Sequence, residues 1–187
     1  DRVPSVAGLL ALGVYPQQHL PGTGLQAVLA AGAEDEPGTR ARDARRFDGP
    51  IPRMLADAVE RVARSSPSAI RGDKAGRVTN EPSWPGEAVR EVIGNALIHR
   101  DLGPWALGET ALVRLDSSRL VVRNPGGLYG LTVDRLGRIG VTSARNANLV
   151  RICQYVRLPD GTRAVEALAS GIPAVLEALR AAELPTP

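Results

Sequence analysis

Three polar side chains, Glu91, Asn95 and His99, recur at i, i+4 and i+8 within Glu91-Val92-Ile93-Gly94-Asn95-Ala96-Leu97-Ile98-His99. At 3.6 residues per turn they drift by about 80° in total, so a helix places all three on one face. The residues between them are mostly apolar. A half-buried polar stripe needs partners, because unpaired polar groups inside a protein are costly. A nucleotide with its magnesium ion would supply them. The amide oxygen of Asn95 is a hard ligand of the kind Mg2+ accepts alongside waters and phosphates. A carboxylate one turn earlier, Glu91, can orient or deprotonate a water for attack on a γ-phosphoryl group. The same spacing also describes a solvated stripe on a helix at a domain edge, and spacing alone leaves both readings open.

The elements that must carry these residues follow from periodicity. Trp84-Pro85 opens a predicted helix over Gly86–His99, with Val89, Val92, Ile93, Ala96 and Leu97 as its apolar stripe. An earlier helix is expected over Pro50–Ser65, where Ile51, Leu55, Ala58, Val59 and Val62 share a face and Pro52 suits a first turn. Ala111–Leu115 and Leu120–Arg123 read as strands of a hairpin around Asp116-Ser117-Ser118-Arg119. Asn124-Pro125-Gly126-Gly127 ends the second strand, Thr132–Leu136 suggests a short helix, and Ala147–Val156 and Pro173–Ala182 read as helices. Upstream, Val3–Val14 is a short apolar run that fits a buried strand or a short helix. Leu25–Ala31 reads as a strand, Gly32–Asp48 as a loop or a solvated strand pair, and Ser66–Asn80 as irregular and exposed. Helix, hairpin, loop and further helices in this order predict an α/β (α+β) layered sandwich.

Composition narrows the chemistry. The 187 residues suffice for one large domain or two small ones. Aromatic residues make up 3%, so the core must be Leu, Val, Ile and Ala, with little stacking surface for single strands. Only Lys74 is a lysine among the basic residues; the rest are Arg, with abundant Ala, Gly and Pro, a pattern of GC-rich coding. The net charge of +3 implies no strong polyanion-binding field, and Arg40–Arg53 reads first as a solvated loop, with direct DNA contact as the alternative. One cysteine, Cys153, cannot form an intrachain disulfide, and with two histidines it cannot build a usual structural zinc site. No apolar stretch approaches the roughly 20 residues of a membrane span, and no signal-peptide pattern is present, so a cytoplasmic location is expected. No glycine-rich Gly-Lys-Ser/Thr loop, Gly-x-Ser-x-Gly elbow or dinucleotide fingerprint occurs. The Asp1 start and the Leu184-Pro185-Thr186-Pro187 end read as a piece of a longer protein finishing in a linker over residues 183–187.

Four segments carry a family resemblance. Trp84-Pro85-Gly86-Glu87-Ala88-Val89-Arg90-Glu91, followed by Asn95-Ala96 and His99-Arg100-Asp101, resembles a "YPxEAxREAxxNAxxHRD" segment. Val121-Val122-Arg123-Asn124-Pro125-Gly126-Gly127-Leu128 resembles "IxNPGGL", and Ser143-Ala144-Arg145-Asn146 with Leu149 resembles "SxxRNxxL". Glu166 and Ser170-Gly171-Ile172-Pro173 resemble "ExxGSGIP". In this order, over roughly Trp84 to Glu177, they resemble the RecG-like ATP-binding proteins of the Schlafen-Alba group, relatives of the GHKL ATPases. Pro4–Gly13 with Pro16-Gln17 and Pro21 resembles the end of a Schlafen-type Alba domain.

The resemblance implies a GHKL-like ATP-binding domain over residues 84–182. The tail of an Alba-type domain would precede it over 1–48, with a connecting helix and loop over 49–83. It implies ATP and Mg2+ as cofactors, with Asn95 as metal ligand and Glu91 as the catalytic carboxylate. His99, Asn124, Gly126, Gly127, Arg145, Asn146, Ser170 and Gly171 would join Asn95 in holding the nucleotide. Asn124-Pro125-Gly126-Gly127 would take the place of the adenine-reading loop, its glycines admitting the ring; it is also a type II turn signature. Ser143-Ala144-Arg145-Asn146 precedes a helix and suits a phosphate, yet Ser143 or Asn146 serves equally as an N-cap. Departures are Leu102-Gly103 where the family has Tyr-Ser, Ala169 two before Gly171 where it has Gly, and the lack of a recognisable glycine-rich ATP lid of the GHKL kind. The implied role is an ATP-binding, weakly hydrolysing domain of a DNA-binding transcriptional regulator, with DNA held through other parts of the protein and an oligomer as a further expectation. The alternative is a degenerate interaction or dimerisation module without nucleotide.

Overall fold

The computed structural model describes residues 3–31, 35–36, 38–66, 68–72, 78–116, 118–138, 143–157, 161, 163 and 171–187, with backbone alone at 68–72 and 78–82. The apolar run near the N-terminus is a helix, α1 (Val6–Leu12), started by Ser5, whose Oγ accepts from the Gly8 amide at 3.1 Å. Short 3-10 turns at Pro16–Gln18 and Pro21–Thr23 lead into strand β1 (Leu25–Ala30). Strand β2 (Ala41–Phe47) returns antiparallel to it, Leu25 opposite Phe47. Helix α2 (Ile51–Ser65) then buries Ile51, Met54, Leu55, Ala58 and Val62 along one face, with Pro52 in its first turn where a missing N–H costs nothing.

The segment expected to be irregular, Ser66–Asn80, instead contains most of a two-stranded antiparallel hairpin, β3 (Ser68–Gly72) with β4 (Val78–Pro82). Its residues show no clean apolar alternation, so the period-2 signal that marks a half-buried strand was absent. Helix α3 (Gly86–Ile98) follows, then the β5 (Ala111–Leu115) and β6 (Leu120–Arg123) hairpin. Its turn is held by Asp116, whose Oδ1 accepts from the Ser118 amide at 2.9 Å and the Arg119 amide at 2.7 Å. These amide donors hold the Asp116 carboxyl below its usual range. A 3-10 turn at Val133–Arg135, helix α4 (Ala147–Tyr155) and helix α5 (Gly171–Ala181) complete the chain. Helix α5 begins two residues before the expected Pro173, which sits in its first turn.

Four strands form one mixed sheet in the order β2-β1-β5-β6. Its centre is the parallel pair β1 and β5, with Leu25 beside Ala111 and Leu29 beside Leu115. A parallel neighbour needs a crossover, and here it contains α2, the small hairpin and α3. One core of buried residues joins Leu10 of α1, Leu25 of β1, Phe47 of β2, Met54 and Leu55 of α2, Ile93 and Leu97 of α3, Val113 of β5, and Leu149 and Cys153 of α4. Sheet and core therefore run across residue 48. A buried Gln17 adds a further tie: its side chain donates to the Gly49 carbonyl at 3.0 Å and accepts from the Gly49 amide at 2.7 Å. The result is a mixed α/β layered fold, as the order of elements implied.

Candidate nucleotide site

Helix α3 turns Ala88, Val89, Ile93, Gly94, Ala96, Leu97 and Ile98 inward. That leaves Glu91 and Asn95 half-buried on the remaining face, with His99 at its end as the C-cap. The Asn95 Nδ2 donates to Glu91 Oε1 at 2.9 Å. A carboxylate only accepts, so this contact orients the Asn95 amide: its nitrogen faces Glu91, and its oxygen is turned away as an acceptor. The α5 N-terminus comes close to the same carboxylate. A β-carbon at Gly171 would lie 3.8 Å from Glu91 Oε1, and α5 packs Val175 and Leu179 with Ala88 of α3. Burial, and then the positive charge of Arg145, push the His99 imidazole below its ordinary value, so it is neutral at pH 7.

The chain just past α3 is anchored by Arg100, 1% exposed. Its guanidinium donates to the carbonyls of Gly22 at 2.6 Å, Glu109 at 2.9 Å and Ala106 at 3.3 Å. A buried charge must be fully hydrogen-bonded to be tolerated, and these carbonyls serve that end. They also pin the 103–109 loop and the Pro21–Thr23 turn to the end of α3. Next, the Asp101 amide donates to the Pro125 carbonyl at 2.9 Å, while its Oδ1 accepts from the Gly103 amide at 2.8 Å.

The Asn124–Gly127 turn thus docks against the residues that end α3. Gly126 has φ +96°, in the region that favours glycine. A β-carbon there would fall 2.7 Å from Asp101 Cβ and 3.3 Å from an Arg145 terminal nitrogen. Asn124 is half-buried at the end of β6, and Gly126 and Gly127 are exposed. Arg145 pairs with Asp101 Oδ2 at 3.3 Å, donates to the Gly127 carbonyl at 2.7 Å, and lies 5.0 Å from the Tyr129 ring centroid. Asn146 accepts from the Leu149 amide through its side chain at 3.0 Å and so caps α4, one of the two uses its position allowed.

Two groups of predicted residues are therefore drawn together along α3: Glu91, Asn95 and Gly171 at one level, and His99, Gly126, Gly127 and Arg145 at its C-terminal end. Ser170 and Glu166 lie outside the described residues. Among the described residues no cluster of three His, Cys, Asp or Glu could hold a metal by itself, and none of the helices is long and apolar enough to cross a membrane. Sequence reasoning quoted Asp101 within His99-Arg100-Asp101 but gave it no role, and passed over Tyr129; both contact Arg145. For Asp101 a signal existed: an Asp two residues before a Gly is an Asx-turn pattern. Tyr129 carried none.

Residues 108–187 match the family described as "Putative ATP-dependent DNA helicase recG C-terminal". The match holds Asn124, Gly126, Gly127, Arg145, Asn146 and Gly171, and begins after α3. No curated protein gives a match. A crystal structure of a protein from Corynebacterium diphtheriae aligns with a TM-score of 0.67 and 21% identity over 97% of this chain and 34% of that one. At that identity the likeness concerns the fold, and this chain spans about a third of that protein's length. The C-terminal stretch is therefore similar to a RecG-like ATPase-type domain.

Proposed function

We propose that the chain is a nucleotide-binding domain that takes ATP with Mg2+ against the half-buried face of α3. The observation that carries this reading is the Asn95–Glu91 contact, which turns a neutral amide oxygen away from a carboxylate one turn before it. The donor set fits the group: Mg2+ prefers few protein oxygens and completes its shell with waters and phosphates, so a three-residue protein cluster is not required. Asn95 would hold the ion. Asn124, Gly126 and Gly127 would hold the base, where the absence of β-carbons lets the backbone approach a ring. The α5 N-terminus at Gly171 would face the phosphates, with Ser170 next to it in sequence as a further candidate. His99, neutral beside Arg145, would accept or donate a hydrogen bond without adding charge.

When bound, the ion neutralises developing charge on the transferred phosphoryl group. Glu91 would orient a water for attack, giving slow hydrolysis. The family resemblance further supports a setting in a cytoplasmic, DNA-binding transcriptional regulator whose DNA contacts lie elsewhere in the protein. A second reading, an interaction module without nucleotide, is favoured by one observation. Arg145 and Asn146, both expected at a phosphate, are engaged with Asp101, Gly127 and Leu149 instead.

Calorimetric titration with ATP and Mg2+, beside Asn95→Ala, separates the two. Micromolar binding that is lost in Asn95→Ala is expected. Absence of binding in the unaltered chain would leave the interaction module.

A further inference from the structure

We propose that Arg145 is the positioning residue of the Asn124–Gly127 turn, clamping it to the end of α3, and is not a phosphate ligand. The inference rests on the nucleotide reading above for what the turn holds, but the clamp itself stands on contacts within the chain. Arg145 touches three separate places. Its Nη1 lies 3.3 Å from Asp101 Oδ2, just past α3. Its Nη2 donates to the Gly127 carbonyl at 2.7 Å, inside the turn. Its guanidinium carbon lies 5.0 Å from the centroid of Tyr129, in the strand of loop leaving the turn.

A guanidinium offers its edges to acceptors and its faces to aromatic rings. Here the two terminal nitrogens meet Asp101 and Gly127, and the guanidinium carbon sits over the Tyr129 ring. The remaining donor, Nε, is buried without a hydrogen-bond partner among the described residues. The side chain as a whole is 18% exposed. A phosphate reaching this cation would have to displace the Asp101 carboxylate that already neutralises it. Gly126 completes the arrangement, because a β-carbon there would stand 3.3 Å from the same guanidinium. The turn is therefore closed by the Asp101 amide on one side, donating to the Pro125 carbonyl at 2.9 Å, and by Arg145 on the other.

Two readouts on the full chain test the clamp. The first is hydrogen exchange at the Asp101 amide. Arg145→Ala is expected to accelerate it by about tenfold or more, the effect of losing a charge-assisted hydrogen bond that holds its acceptor in place. Arg145→Lys should recover little, since an ammonium cannot serve both acceptors and stack on the ring. Tyr129→Leu, at a half-exposed ring, should give a smaller acceleration in the same direction and serves should Arg145→Ala not fold. The second readout is titration with ADP and, separately, with magnesium pyrophosphate. Arg145→Ala should weaken ADP about tenfold and leave pyrophosphate unchanged. Unchanged exchange at Asp101 in Arg145→Lys and Tyr129→Leu overturns the clamp. Equal loss of ADP and pyrophosphate makes Arg145 a phosphate ligand and overturns it as well. If the unaltered chain binds neither probe, the nucleotide reading fails, and exchange at Asp101 alone decides whether Arg145 is a clamp.

Discussion

Replacing Gly126 by alanine tests the docking of the turn on the end of α3 without removing any titratable group. Its backbone sits at φ +96°, where an L side chain is strained by about 1–3 kcal/mol. The added carbon would also fall 2.7 Å from Asp101 Cβ. That atom cannot swing aside like the tip of a long side chain, because the Asp101 amide donates to Pro125 and its carboxylate is held by Gly103 and Arg145. Relieving such overpacking adds about 1–3 kcal/mol. A total near 3 kcal/mol, divided by a urea m-value of about 2 kcal/mol/M, lowers the unfolding midpoint by about 1.5 M. The neighbour supplies the control. A β-carbon at Gly127 meets nothing within 4 Å, so Gly127→Ala should stay within about 0.5 kcal/mol. Urea unfolding followed by circular dichroism measures both. Equal midpoints for the two variants would refute the close approach of turn and helix end.

His99 should make the fold sensitive to mild acid. Its folded value lies below the unfolded one of about 6.5, so the unfolded chain takes the proton first. Stability is full above that pH and falls as pH drops through the folded value. His99→Gln should flatten this loss, and Arg145→Ala should raise the midpoint of the His99 titration followed by NMR, by removing a like charge; a lowered midpoint would contradict the assignment. Cys153 is fully buried, with its thiol pushed up to about 11 by that burial. A thiol reagent at pH 8 should therefore modify it only as fast as the chain opens, and rapid labelling of the native protein would show that α4 does not pack as described.

Local periodicity made much of the fold legible. The apolar stripe of α3, the β5–β6 hairpin and the face of α2 each follow from a repeat within one segment. The parallel pairing of β1 with β5 does not, because Leu25 and Ala111 are brought together by everything between them. The β3–β4 hairpin escaped for the opposite reason: its strands are short and lack alternation. At the site, the spacing of Glu91 and Asn95 was enough to place them on one helix face, whereas His99 falls just past the helix as its C-cap. The contacts of Arg145 were not readable, since an arginine before a helix looks alike whether it waits for a phosphate or grips a neighbouring turn. Arg100 is harder still. Nothing in His99-Arg100-Asp101 distinguishes a fully buried guanidinium from a surface one until the carbonyls of Gly22, Ala106 and Glu109 close around it.

The central strand pair also sets an order of events at the ribosome. Leu25 emerges long before its sheet neighbour Ala111, and at about 5–20 residues per second the delay runs to several seconds. In that interval β1 has only β2 for company. Ala41–Phe47 is exposed along most of its length and carries Arg42, Arg45 and Arg46. Charged residues on an edge strand discourage pairing with another chain. The arginines of β2 thus guard the outer edge of the β1–β2 hairpin, in the nascent chain as in the finished sheet.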